Sequence, residues 1–272
     1  MIAFPVIDPR SVLFITLDSC RYDTFAGANC PNLKAIGPLH KAMAPGTFTF
    51  ASHAAMFVGF TPGIAERNEP YVNPKFGKIF RMSGVGFGGK GTDFIKLEGR
   101  NIIDGFKRKG YLTIGSGAAP WLDPGRATSL QLMESFEHFF YPGDKWSLGR
   151  QLDYVAGRLV QNAAVRPAFV FINICETHIP YWHEGAAWDR EKSPCIPFAA
   201  TNDADECRRR QTACVEFVDR LLGPILAAFA GATTVACADH GDCWGEDGLW
   251  DHGIHHAKVY EVPLLFRLGR AG

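Results

Sequence analysis

The sequence has no excess of charge of either sign, because 28 Lys and Arg side chains are balanced by 28 Asp and Glu. Nucleic acids and anionic membrane surfaces bind proteins through clustered surplus Lys and Arg that release counterions. The balance therefore argues against both kinds of partner, while it still allows a local basic pocket. The one basic cluster, Arg208 to Arg210, is typical of a solvated helix face.

The eight cysteines include no CxxC pair and are too sparse for a small disulfide-rich domain. We interpret them as reduced, mostly buried thiols of a cytoplasmic protein. No basic segment precedes an apolar stretch at the N-terminus, so the sequence predicts no signal peptide. The long uncharged run at 221–238 contains Pro224 and changes from an Ala-rich to a β-branched pattern. That change argues against a membrane span.

Short apolar runs alternate with helical patterns along the 272 residues. We predict strands at 12–17, 111–114, 168–174 and 232–238, and helices at 51–58, 102–109, 148–162 and 203–229, the last broken or kinked at Pro224. This alternation predicts one α/β domain over residues 1–272, with a mostly parallel sheet and helices on both faces. Sites in such sheets lie at the carboxyl ends of the strands. Segments 63–91 and 182–201 are predicted to be long loops covering the site.

Acidic and imidazole side chains follow two of the predicted strands. Asp239 and His240 come directly after one strand and are followed by Gly241, and Asp18 ends another. Because parallel strands open onto the same sheet edge, these side chains are expected to converge. A carboxylate and imidazole set suits a divalent cation.

Hydroxyl side chains precede the helical run at 51–58. A helix N-terminus favours a bound phosphate or sulfate, and a hydroxyl there is a potential nucleophile if a metal lowers its pKa. The alternative is that Thr49 or Ser52 only caps the helix. The sequence pattern by itself leaves both interpretations open.

Four segments in chain order carry these motifs and two more: LDSCRYD at 17–23, TFASH at 49–53, ETHIPY at 176–181, and ADHGDCWGEDGLWDHG at 238–253 followed by YEVPLLF at 260–266. Together they resemble blocks of the alkaline phosphatase and sulfatase superfamily. In that family the second segment reads C-x-P-S-R or T-x-P-S-H, the third H-x-P-Y, and the last D-H-G, G-E-x-G, H-G and V-P-L. Four blocks in order are far more specific than any single one.

The resemblance implies an alkaline-phosphatase-like fold and a set of site residues. The implied metal ligands are Asp18, Asp239, His240 and Thr49, and Thr49 is also the implied nucleophile. His178 would be a general acid or bind a substrate oxygen. His252 stands where sulfatases have a lysine on the sulfuryl oxygens or where other members have a histidine near the metal.

His53 has two readings in the resemblance: it could contact the phosphate, or it could pack beside Thr49 and orient it. Four further acids are interpreted as turn, cap or supporting residues rather than ligands: Asp23, Asp242, Glu246 and Asp251.

Departures from the family pattern restrict the nucleophile and the metal that this site can use. Thr49 cannot become the formylglycine of sulfatases. Ser19 replaces the second acid of their Asp-Asp pair and His240 replaces an Asn, so the mixed oxygen and imidazole set favours Mn²⁺ or Zn²⁺ over Ca²⁺ or Mg²⁺. The Asp251 to His255 spacing follows the Asp-His pair, in the wrong order for a two-metal member. We therefore expect one metal, with candidate partial ligands of a second: Glu176, His252, His255 and His256.

The Gly-rich segment at 84–91 matches GxGxxG and nearly matches a P-loop, but Gly91 stands where that motif needs Ser or Thr. Its flanks lack the strand and helix of a nucleotide site. A mobile substrate loop, in which Lys90 would contact an anion, and an inert loop remain open. The chain ends soon after the VPLLF segment, so the small C-terminal subdomain of sulfatases is expected to be absent.

The predicted function is metal-dependent hydrolysis of small-molecule phosphate or phosphonate esters through a phosphothreonine intermediate. The alternatives are a phosphotransferase or mutase that uses the same threonine, and a relative that binds a phosphorylated ligand without turnover. A sulfatase without formylglycine is disfavoured. The sequence leaves the oligomeric state open.

Overall fold

A seven-stranded sheet lies at the centre of the molecule. The computed structural model describes residues 4–59, 80–81, 96–97, 100–162, 166–197 and 199–269. Lys90, and with it the Gly-rich segment at 84–91, lies outside the described residues. So does nearly all of the predicted loop at 63–91.

The sheet has the strand order β2-β11-β8-β1-β7-β5-β6. Its strands are β1 (Val12–Leu17), β2 (His40–Met43), β5 (Leu112–Gly117), β6 (His138–Phe140), β7 (Ala168–Ile174), β8 (Thr233–Ala238) and β11 (Glu261–Arg267). Strand β11 runs antiparallel to both of its neighbours, and the five strands from β8 to β6 are mutually parallel. Two short antiparallel pairs join β3 (Phe80–Arg81) to β4 (Lys96–Leu97) and β9 (Cys243–Trp244) to β10 (Trp250–Asp251).

Helices pack on both faces of the sheet. They are α1 (Tyr22–Gly27), α2 (Pro31–Lys34), α3 (Thr49–Val58), α4 (Ile102–Arg108), α5 (Ala127–Met133), α6 (Leu148–Asn162), α7 (Ala204–Ala228) and α8 (Ala257–Tyr260). Side chains alternate along β1, so Leu13 and Ile15 join the core with α1, α2, α6 and α7, while Phe14 packs on the core with α3, α4 and α5. The predicted α/β class with a mostly parallel sheet is confirmed.

The sequence predicted a break or a kink at Pro224. Helix α7 runs through this proline as one element, so the predicted break is wrong. Pro224 removes one backbone donor. Its neighbours Leu222 and Ile225 are fully buried in the core, and this packing holds the helix on both sides of the proline. The uncharged run at 221–238 is divided between the end of α7 and β8. Among the described residues, none of the helices combines the length and hydropathy needed to cross a membrane.

All eight cysteines are free and buried, as predicted. The cytoplasmic location inferred from them stays a prediction. The segment at 182–201 forms no helix or strand in its described part. Cys195 of this segment packs with Tyr181 and Trp244 in a small hydrophobic cluster that is separate from the two larger cores on the sheet.

Candidate active site

The carboxyl ends of β1 and β8 bring two aspartates side by side. Leu17 and Ala238 are register partners on these strands, so Asp18 and Asp239 are the residues that follow the paired ends. Both side chains are completely buried. The convergence expected from a parallel sheet is therefore present.

Thr49 faces these acids from the first turn of α3. Its Oγ1 lies 3.4 Å from each carboxylate oxygen of Asp18 and 3.4 Å from Nε2 of His240. Helix α3 begins after Phe48. In the part of the chain that the structure describes, its N-terminus has no side-chain cap hydrogen bond and the buried Ser52 hydroxyl has no hydrogen-bond partner. Helix capping thus does not account for either hydroxyl.

His240 presents one ring nitrogen to the same group. Its Nδ1 lies 3.1 Å from the carbonyl oxygen of Gly241, which can only accept, so Nδ1 carries the proton and Nε2 keeps its lone pair. Nε2 lies 3.5 Å from Asp18 and 3.6 Å from Asp239. Burial, with the nearby His252, lowers the pKa of His240 to about 4, so the ring is a neutral potential ligand.

Asp239 leaves one oxygen without a partner. Oδ1 accepts hydrogen bonds from the backbone N–H groups of Ser19 and His240 at 3.1 and 3.0 Å. Oδ2 is buried, has no hydrogen-bond partner among the described residues, and faces His240. A buried orphaned carboxylate oxygen needs a compensating charge or donor.

The spacing of these atoms matches a metal site better than a hydrogen-bond network. Four ligands at 2.0–2.1 Å from a tetrahedral ion lie about 3.3–3.4 Å apart. Thr49 Oγ1 lies 3.4 Å from Asp18 and from His240 Nε2, and that nitrogen lies 3.5 and 3.6 Å from Asp18 and Asp239. These distances are longer than ordinary hydrogen bonds to oxygen. Asp18, Asp239 and His240 also form a buried set whose ligand atoms all lie within 4.8 Å of one another. We call the four residues the Asp18 group.

The charges in the Asp18 group call for a cation. Burial opposes ionisation of Asp18, but its interactions with the surrounding histidines, His178 foremost, outweigh this effect and lower its pKa. For Asp239, burial and the adjacent Asp18 carboxylate raise the pKa well above its usual range. Two buried carboxylates in contact repel each other, and a divalent ion between them allows both to ionise.

His252 lies beside the Asp18 group, with its ring centroid 4.4 Å from that of His240 and 5.2 Å from that of His178. Its Nδ1 is 2.8 Å from Asp242 and 2.7 Å from Asp251. Burial alone would lower the pKa of His252, but the bonds to these two carboxylates raise it to about 11. The ring is thus a cation whose Nε2–H remains available to an anion.

A second set of ligand types, His240, Asp242 and His252, lies next to the first. Its closest pair, His252 and Asp242, is 2.8 Å apart, which is a hydrogen bond rather than the separation of two ligands on one ion. If Nε2 of His240 binds an ion in the Asp18 group, only Nδ1 is left for this second set, and Nδ1 already donates to Gly241. This geometry favours one metal.

The other candidates for a second metal lie elsewhere. Glu176 accepts the backbone N–H of Leu148 at 2.9 Å, and burial raises its pKa to about 7. His255 is 3.3 Å from the hydroxyl of Tyr260, and His256 is 3.2 Å from Asp247. Within the described part of the chain, no hydrogen bond or ion pair joins any of the three to the Asp18 group.

Of the predicted substrate residues, His178 is at the site and His53 is behind it. His178 is half-buried, and its Nδ1 donates to the carbonyl oxygen of Ile179 at 2.7 Å, which leaves Nε2 for a ligand. His53 is completely buried. Its Nδ1 donates to the Thr49 carbonyl at 2.7 Å, and its Nε2 accepts from the Thr16 hydroxyl at 2.9 Å. This position fits the reading in which His53 orients Thr49, and it gives no support to a contact with the phosphate.

A buried arginine supports the turn after β8 and was not identified from the sequence. The side chain of Arg21 is 1% exposed and pairs with Asp23 at 2.6 Å and Glu246 at 2.8 Å. It also donates to the carbonyl oxygen of Asp242 at 3.3 Å and lies over the ring of Trp244. Asp23 and Glu246 are thus supporting acids, as predicted. Nothing in the sequence distinguishes a buried arginine from the many exposed ones.

We predict one metal ion per chain. Anomalous diffraction from crystals grown with Zn²⁺ or Mn²⁺ should show a single peak between the side chains of the Asp18 group. A second peak of similar height beside Asp242 and His252 would contradict the argument from hydrogen-bond lengths.

No protein-family model and no curated protein sequence matches the chain. Its structure, however, resembles solved ones. The C-terminal periplasmic domain of phosphoethanolamine transferase EptC from Campylobacter jejuni has a TM-score of 0.63 at 13% identity, over 98% of this chain and 83% of that one. The corresponding EptC domain from Escherichia coli, in complex with Zn, has a TM-score of 0.64 at 12% identity, over 98% and 78%.

Two further structures extend this likeness beyond EptC. A phosphonate monoester hydrolase of Agrobacterium radiobacter has a TM-score of 0.63 at 16% identity, over 95% of this chain and 68% of that one. A protein in the alkaline phosphatase superfamily from Vibrio parahaemolyticus has a TM-score of 0.55 at 16% identity, over 96% and 60%. The central sheet and helices of this chain therefore have the fold of alkaline phosphatase superfamily structures, as the sequence motifs implied.

Proposed function

We propose that this protein is a metal-dependent enzyme that transfers the phosphoryl or phosphonyl group of small-molecule esters through Thr49. One observation carries the proposal: the Thr49 hydroxyl lies 3.4 Å from both a carboxylate and a neutral imidazole that fit a single metal ion. A threonine with only a structural role has no need of such neighbours. The likeness to a phosphonate monoester hydrolase and to phosphoethanolamine transferases supports the substrate class.

The residues of the site divide the reaction among them. A divalent ion held by Asp18, Asp239 and His240 would supply positive charge that lowers the pKa of the Thr49 hydroxyl and offsets the charge of the reacting group. Thr49 releases its hydroxyl proton to solvent, and regains one from solvent when the intermediate breaks down. Its Oγ1 attacks phosphorus, and the ester oxygen leaves with the electron pair of the broken P–O bond. His178, through Nε2, donates a proton to that leaving oxygen. His252 donates a hydrogen bond from Nε2 to a non-bridging oxygen, whose charge grows in the transition state.

The second half of the reaction decides between hydrolysis and transfer. Attack of water on the phosphothreonine releases phosphate and restores the Thr49 hydroxyl, whereas attack of an alcohol gives a new ester. His178, now unprotonated, accepts the proton of either acceptor. Our leading proposal is hydrolysis. The transferase name of EptC is the observation that favours the second candidate.

The donor set favours a zinc or manganese ion. Two carboxylates, one imidazole and one hydroxyl form a mixed oxygen and nitrogen donor set, which suits Zn²⁺ and Mn²⁺. Ca²⁺ and Mg²⁺ prefer ligands that are all oxygen. The zinc complex of the Escherichia coli EptC domain supports this choice.

Turnover of aryl esters tests the proposal. The purified protein with Mn²⁺ or Zn²⁺ should release p-nitrophenol from p-nitrophenyl phosphate, its diester or an aryl phosphonate, and a chelator should stop the release. Adding an alcohol and measuring the ratio of the two products separates hydrolysis, which gives phosphate, from transfer, which gives alkyl phosphate. Absence of release from all three esters with either metal would favour a binding protein, and turnover of aryl sulfate alone would favour a sulfatase.

A further inference from the structure

A buried chain of hydrogen bonds leads away from His252. Its Nδ1 is 2.8 Å from Oδ1 of Asp242, and Oδ2 of Asp242 accepts a 2.7 Å bond from the hydroxyl of Tyr181. That hydroxyl in turn accepts a 2.7 Å bond from the indole N–H of Trp244. Each polar atom named in this series of hydrogen bonds has a donor or an acceptor as its partner.

The chain is shielded from water and joins three separate loops. Tyr181 and Asp242 are completely buried, and Trp244 is 3% exposed. Tyr181 lies in the loop after β7, Asp242 in the turn after β8, and His252 in the loop after β10. Buried hydrogen bonds of this kind are costly to leave half-made, so they fix the geometry of the groups that they join.

The carboxylate of Asp242 is held at both of its oxygens. Tyr181 occupies Oδ2 and His252 occupies Oδ1, which fixes the plane of the carboxylate and the direction of the bond to the imidazole. Asp251 also contacts Nδ1 of His252, at 2.7 Å, but its side chain is 24% exposed. Asp251 therefore adds charge, whereas Asp242 sets the orientation of the ring.

We propose that Asp242 and Tyr181 are positioning residues that hold the His252 ring with Nε2 directed at the oxygens of the reacting group. This inference rests on the proposed function, because it assigns His252 to the transition state of that reaction. It gives Asp242 a more specific role than the turn, cap or supporting acid that its sequence context indicated. Tyr181 then links the H-x-P-Y segment, through Asp242, to the protonated ring of His252.

The substitution Tyr181→Phe tests the inference with the smallest change in shape. It removes the donor to Asp242 and keeps the ring in its core. We expect kcat to fall about 10-fold with KM changed less than about 2-fold, because the lost orientation acts on the transition state. Asp242→Asn should lower kcat by about 100-fold. Tyr111→Phe is the matched control, since its hydroxyl bonds to Arg10 on the amino side of the sheet, and it should keep wild-type kinetics.

A double-mutant cycle separates positioning from a purely structural role. In a His252→Ala background, adding Tyr181→Phe should change kcat by less than about 2-fold, because the ring that Tyr181 helps to orient is gone. The same loss in both backgrounds would overturn the inference. Loss of bound metal in parallel with kcat would also overturn it, since Tyr181 would then support the fold of the site rather than His252.

Nitrogen-15 NMR of the histidine rings in the zinc-loaded protein gives a readout that needs no turnover. The bonded Nδ1–H of His252 should give a low-field, slowly exchanging proton in wild type. This signal should shift in Tyr181→Phe and shift further in Asp242→Asn, where Asp251 still faces Nδ1. Unchanged signals in both variants would overturn the inference. If wild type turns over no ester while the NMR signals change as expected, the proposed function fails and the structural link between Asp242 and His252 stands. If Tyr181→Phe does not fold, Trp244→Phe takes its place in the cycle, with the same expected pattern at smaller size.

Discussion

Replacing Thr49 with alanine is expected to abolish turnover and to leave the fold intact. If Oγ1 is the nucleophile, its removal leaves only binding and electrostatic effects, and losses of about 10⁴-fold or more are typical when a nucleophile is deleted. Stability should change little, because the hydroxyl caps nothing and alanine is the better helix former. Steady-state kinetics and thermal unfolding, measured side by side, check both halves of the prediction.

Thr49→Ser is the matched control for this substitution. Serine keeps the hydroxyl and removes one methyl group, so measurable turnover should remain. Full activity in Thr49→Ala, or equal inactivity of both variants with intact metal binding, would contradict the assignment of the nucleophile.

Removing a ligand from the Asp18 group should remove the metal. Asp239→Asn takes away one of two buried carboxylates, and His240→Ala takes away the imidazole whose Nε2 lies 3.5 and 3.6 Å from them. Substituting a residue that only supports the ligands typically weakens metal binding about 10- to 100-fold. Both of these substitutions should weaken it more. Elemental analysis after dialysis measures this loss, and turnover should fall with it.

The metal-free proteins provide a second readout of the same idea. The pKa of Asp239 is raised in the folded state, so near neutral pH its ionisation opposes folding in the absence of a metal. Metal-free Asp239→Asn should therefore unfold at a temperature equal to or above that of metal-free wild type, while added metal stabilises only wild type. Asp153→Asn, on the exposed face of α6, is the control and should retain the metal. Unchanged metal content in Asp239→Asn would contradict the site.

The sequence predicted those parts of the fold in which local pattern and tertiary structure agree. The apolar runs at 12–17 and 168–174 are strands with those bounds, since continuous burial on both faces of a parallel sheet leaves an uninterrupted apolar run. The convergence of Asp18 and Asp239 followed from the same topology. Helix α6 was equally clear, because its apolar positions repeat with helical spacing.

Other elements depend on contacts that no local pattern contains. Strand β11 includes Pro263, which argues against a central strand, yet its pairing with β8 begins only at Leu264, so the missing N–H costs no bond on that side. Strand β2 is short and largely exposed, and it is fixed by β11 beside it.

The link between Tyr181 and Asp242 joins residues 61 positions apart. It depends on how two loops meet at the sheet edge, and the sequence motifs carried no sign of it. A hydrogen bond between residues this far apart in the sequence follows from the fold and cannot be inferred from the spacing of motifs.

Trapping the phosphoryl group on Thr49 is the sharpest test of its assignment as the nucleophile. Metal-loaded protein turning over an aryl phosphate would be quenched in acid, digested and examined by peptide mass spectrometry. We predict one added phosphoryl group on the peptide that contains Thr49, at that residue, and none in metal-free protein or in Thr49→Ala. Sustained turnover with no phosphoryl group on Thr49, or with the group on another residue, would contradict the account.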